Sequence, residues 1–164
     1  MFRLFRKREE VIVSPLTGNV RSLENVPDPV FAQKMMGDGF AIEPTDGVVV
    51  SPIHGEVVQV FPTKHAVGLR SDEGLEILIH VGIDTVHMHG EGFEAYVKAG
   101  DRVKAGDLLL SFDLALVQQK AKSLPYPSSD YKRGGGKRVS SRAYRTSRKR
   151  KYCFNESEIE IIYM

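Results

Sequence analysis

Cysteine is nearly absent: Cys153 is the only one in 164 residues. No internal disulfide framework can brace the chain, and the composition suits a reducing, cytoplasmic setting. Long apolar runs are also missing, since none approaches the roughly 20 residues that a membrane-spanning helix needs. The first ten residues, MFRLFRKREE, are basic but lack an apolar h-region, which excludes a secretory signal. They could form a short amphipathic contact with a membrane surface, against the simpler reading of a solvated terminus. Charge of one sign does not dominate either. The net charge is +2, yet it is unevenly placed. Residues 1–122 hold 13 Lys+Arg against 17 Asp+Glu, a net of −4, and residues 123–164 hold 10 against 4, a net of +6. A nucleic-acid-binding reading would rest on the tail alone, and no nucleic-acid partner is expected of the body.

Hydrophobic residues make up 41% and charged residues 27%, ordinary for one globular domain with a real core. Three segments follow: a basic N-terminal stretch over 1–10, a patterned body over 11–122, and an aberrant basic tail over 123–164 expected to be poorly ordered. The body is written as short apolar strands separated by turn signals. VIVSPLTGNV and VVVSPIHGEV share one grammar, with Ser14 and Ser51 about 37 residues apart, a weak internal repeat. Two Lys-Ala-Gly-Asp turns punctuate residues 98–107. Helical signals are confined to 29–36, entered from Asp28, and 114–122, with Asp113 as a cap. The expectation is an all-β, antiparallel β-sandwich or barrel with one or two short helices.

Chemistry concentrates on histidine. LEILIHVGI, residues 75–83, reads as a central buried strand, with His80 the polar exception after Glu76. His65 follows an earlier strand ending near Phe61. Two antiparallel strands joined through Ser71–Gly74 would bring both imidazoles to one face. Neutral imidazole is a nucleophile near neutral pH without a separate base. Its neighbour could donate a hydrogen bond to a phosphoryl oxygen. By residue type alone, a lone histidine on an apolar strand reads as a core residue. On the same terms Thr63 is a strand end, Asp28 an N-cap and Asp84 a turn former. His54, His87 and His89 leave open a second class, a zinc hydrolase, because H-x-H on a strand puts both rings on one face. They otherwise read as solvent-facing.

The motif wording carries more than the pattern does. EILIHVGIDTV followed by GEGF resembles the phosphorylation motif of the glucose-type enzyme IIA family. VPDPVFAQKMMGDGFAIEP, FPTKHA and QQKAKS resemble further motifs of that family, in the same order. The resemblance implies a duplicated hybrid-motif β fold and a phosphocarrier of the bacterial sugar phosphotransferase system. It implies His80 as phosphoacceptor from the carrier protein HPr, with onward transfer to a cysteine of the IIB domain of a sugar permease. It implies His65 as the second site histidine, supported by Thr63, and Asp28 and Asp84 as acidic neighbours. Val30, Met35, Met36, Phe61, Leu78 and Val86 fall on the apolar docking rim, where Met suits several partners. No cofactor is required; a zinc ion could bridge His65 and His80 but is not expected. A regulatory binding module acting through the same face is the alternative function.

After Ser123 the resemblance stops. Asp130-Tyr131-Lys132-Arg133 can be encoded so that, one base later, the text reads Ile-Thr-Asn-Gly, the wording the family leads one to expect. A shift of reading frame near Ser123, in the gene or in its sequencing, accounts for the change. The expected consequence is loss of the last strands and open sheet edges.

Overall fold

The computed structural model describes residues 12–121, together with the backbone of 138–139 and 160–163. The N-terminal basic stretch, Cys153 and most of the tail lie outside the described residues. Strands dominate: β1 Gly18–Ser22, β2 Gly39–Pro44, β3 Val48–Val50, β4 Gly55–Val60, β5 Ala66–Ser71, β6 Glu76–His80, β7 Phe93–Ala95, β8 Arg102–Val103, β9 Leu108–Phe112, β10 Arg138–Val139 and β11 Glu160–Tyr163. Two helices are short, α1 Pro29–Ala32 and α2 Leu114–Ala121. One sheet runs β10-β1-β2-β11-β6-β5-β4-β8 and a second runs β3-β9-β7. The all-β architecture agrees with the sequence reading.

The repeat is structural. Ser14 and Ser51 each turn a hydroxyl onto a backbone carbonyl two residues on, Leu16 at 2.7 Å and Ile53 at 2.8 Å. Leu16 and Ile53 are both buried in the core. The two units also bond to each other reciprocally, Val13 N–H to Pro52 carbonyl at 3.0 Å and Val50 N–H to Pro15 carbonyl at 2.9 Å. The glycines that open β1 and β4, Gly18 and Gly55, sit where a Cβ would strike a neighbouring strand's carbonyl. No other residue allows strands to pass so closely. The Lys-Ala-Gly-Asp turns repeat as well. Lys98 N–H donates to Asp101 Oδ2 at 2.9 Å, and Lys104 N–H to Asp107 Oδ2 at 2.8 Å.

Between the sheets lies one main core, including Ile42, Val49, Val67, Leu69, Ile77, Ile79, Leu109 and Leu110. A satellite cluster of Leu23, Val26, Phe31 and Ala41, with Leu78 and Ile83 packed on it, sits under α1. Strand β6 divides its side chains between these clusters: Ile77 and Ile79 face the main core, Leu78 the satellite. That alternation is the period of two expected of a strand.

Two features of the fold depart from the sequence reading. The 29–36 helix is shorter than its pattern, ending at Ala32 before turns that include Lys34 at φ +54°. The tail does not leave the sheet bare, because β11 pairs in parallel with β2 and with β6, and β10 pairs with β1. Glu-Ile-Ile-Tyr is a β-forming run only four residues long, overshadowed by the basic composition of the tail ahead of it, which ends at Lys151.

Candidate functional site

Strands β5 and β6 are antiparallel with Ala66 opposite His80. His65 lies just before β5, and its carbonyl accepts the Val81 N–H at 2.8 Å. The ladder therefore continues one step past both strands and fixes the two histidines side by side. Their ring centroids are 4.8 Å apart, edge to face at 81°. The short connection is held by Ser71, whose hydroxyl accepts the Leu75 N–H at 3.0 Å.

Each ring is held from a second direction. His65 is buried, its Nδ1 lies 2.5 Å from the Thr63 hydroxyl, and the Phe61 ring stands edge-on to it at 5.5 Å. His80 has Nδ1 fully enclosed and the Phe31 ring 5.3 Å away. Phe31 is placed there by α1, which begins at Asp28. The Asp28 carboxylate accepts the Val30 N–H at 2.8 Å and the Phe31 N–H at 3.4 Å, and Pro29 occupies the first helical position. This is the arrangement that favours a helix start.

The environment keeps both imidazoles neutral. Burial pushes the His80 pKa down, and His65 beside it pushes further; a Gly82 backbone hydrogen bond and the Asp28 charge oppose them, leaving about 4. Burial alone lowers that of His65. At neutral pH both rings therefore carry lone pairs.

Val30, Met35, Met36 and Val86 are exposed apolar side chains. Leu78 is half-buried against the satellite cluster that contains Phe31. Asp84 is exposed in the left-handed region, at φ +53°, ahead of a 3₁₀ turn over Thr85–Met88. That turn corrects the strand reading of H-x-H: His87 lies on it and His89 closes it at φ +52°. Both are exposed, as is His54. Among the described residues no group of three or more His, Cys, Asp or Glu converges as a metal site. Sequence reasoning passed over Phe31, whose apolar type pointed only to the core, and also Gly82 and Thr85 within the G-I-D-T motif.

A β fold that presents two adjacent neutral imidazoles fits a class of protein, the group-transfer carriers, because neutral imidazole can attack without a separate base. Residues 10–128 match the EIIA 1 family of the phosphoenolpyruvate-dependent sugar phosphotransferase system. A glucose-specific EIIA component from Bacillus cereus is 63% identical over 122 residues, covering 74% of this chain and 74% of that protein. One from Staphylococcus aureus is 55% identical over 130 residues, 76% and 78% of the two chains. Among solved structures, the glucose permease IIA of Mycoplasma capricolum superposes with a TM-score of 0.67 at 41% identity, over 76% of this chain and 78% of that one. The chain belongs to the EIIA family, and it is a phosphocarrier component of the sugar phosphotransferase system.

Proposed function

We propose that His80 is the phosphoacceptor, taking the phosphoryl group from HPr and yielding it to a cysteine of a permease IIB domain. The observation that carries this reading is the His65–His80 pair, 4.8 Å apart and both neutral. With Nδ1 enclosed, Nε2 of His80 is the nitrogen left to attack phosphorus. Its lone pair forms the new N–P bond as the donor's N–P bond breaks, and the electron pair returns to the donor imidazole. In the second half-reaction the IIB thiolate attacks phosphorus and His80 leaves as neutral imidazole. Little covalent work falls to the protein, so positioning and charge stabilisation dominate.

His65 supplies the stabilisation. With the Thr63 hydroxyl as donor to His65 Nδ1, the ring proton sits on Nε2, from which it donates to a phosphoryl oxygen. Asp28 and Asp84 offer negative charge to a basic partner, and Val30, Met35, Met36, Phe61, Leu78 and Val86 form the apolar docking rim. Residues 11–122 constitute the carrier domain, working in the cytoplasm, with the basic N-terminal stretch at most a weak membrane contact. The glucose-specific relatives support glucose as the sugar served. No cofactor takes part in the transfer.

Phosphoenolpyruvate, enzyme I and HPr should introduce acid-labile phosphate into the wild type and none into His80→Ala. His65→Ala should accept phosphate and pass it on poorly. A folded His80→Ala that still labels sinks the assignment.

A further inference from the structure

One buried polar side chain beside the site has no part in the transfer just described. Thr85 is 2% exposed, and its hydroxyl donates to the Val81 carbonyl. Val81 is the residue that joins the histidines. It follows His80 directly, and its N–H donates to the His65 carbonyl at 2.8 Å. Thr85 therefore grips the far side of the residue that ties the pair together. Its methyl group does a second job. Gly82 stands at φ +74°, and a Cβ added there would collide with Thr85 Cγ2 and lie 3.3 Å from Val117 Cγ1. The methyl thus fills the place beside Gly82 and holds that residue in a conformation only glycine adopts readily.

We propose that Thr85 is a positioning residue for phosphoryl transfer: bonded to Val81 and packed on Gly82, it sets the turn after β6 that fixes His80 relative to His65. Reaction geometry is sensitive on this scale, since displacement by about 1 Å can cost a hundredfold in rate. The hydroxyl is the essential part, because an isosteric group without it leaves a buried carbonyl unpaired. The inference rests on His80 as phosphoacceptor, and its test separates the two.

Full-length Thr85→Val and Thr85→Ser are compared with the wild type in the rate of phosphate acceptance from HPr and in the 1H–15N long-range spectrum of the histidine rings. Thr85→Val should lose about tenfold in rate and move the His80 nitrogen signals. Thr85→Ser, which keeps the hydroxyl, should restore both. A folded Thr85→Val with unchanged His80 signals and rate overturns the proposal. Should valine unfold the chain, Thr85→Ser against Thr85→Ala decides instead, and equal rates and spectra overturn it. A wild type that takes no phosphate on His80 refutes the phosphoacceptor reading, while the ring spectra still decide the role of Thr85.

Discussion

His80 sits in surroundings that oppose its charge. Enclosure and the neighbouring His65 hold its pKa near 4 instead of 6.5. In the unfolded chain the same imidazole takes a proton near pH 6.5. Between those values protons bind the unfolded state preferentially, so His80 leaves stability intact above about pH 6.5 and removes it progressively as pH falls towards 4. An NMR titration should find His80 titrating near pH 4, and His80→Gln should flatten that part of the stability curve. Thr63→Val should keep the fold but release His65 Nδ1, lowering onward transfer about tenfold in single-turnover assays. At this scale the sequence was legible through its motifs and not through its periodicity. The strand pattern alone leaves His80 a core residue. Phe31 and Thr85 were silent because an apolar ring and a small hydroxyl announce burial or a turn, and their contacts with the site depend on tertiary placement.

Strand β6 carries both the core and the site, which couples stability to chemistry. Ile79, fully buried in the main core, immediately precedes His80. Ile79→Ala should cost about 2–5 kcal/mol by chemical denaturation and should loosen the His80 backbone as well. Strand order was legible locally: the 37-residue repeat, the Ser71–Gly74 connection and the Asp113 cap all appear, the last with its carboxylate accepting the Leu116 N–H at 2.9 Å. The helix after Asp28 was overread, because Phe31, Met35 and Met36 mimic a helical stripe while the chain turns at Lys34. The closing strand was missed for a different reason. Its partners, β2 and β6, lie far away in sequence, and nothing local reports a parallel pairing.

Across the whole molecule β11 occupies the place between β2 and β6, with Tyr163 in register with His80. Removing residues 160–164 would split the large sheet and make β6, the strand that carries His80, an edge. The truncated chain should melt at a lower temperature in circular dichroism and exchange the β6 amides faster; an unchanged melt would show that the sheet holds without its last strand. The proposed transfer turns on one nitrogen. Full-length chain labelled with 15N in histidine, phosphorylated from phosphoenolpyruvate through enzyme I and HPr, should show the Nε2 signal of His80 moving and coupling to phosphorus while His65 keeps both ring nitrogens unmodified. Phosphorus on His65, on His80 Nδ1, or on neither ring of a folded chain would contradict the account.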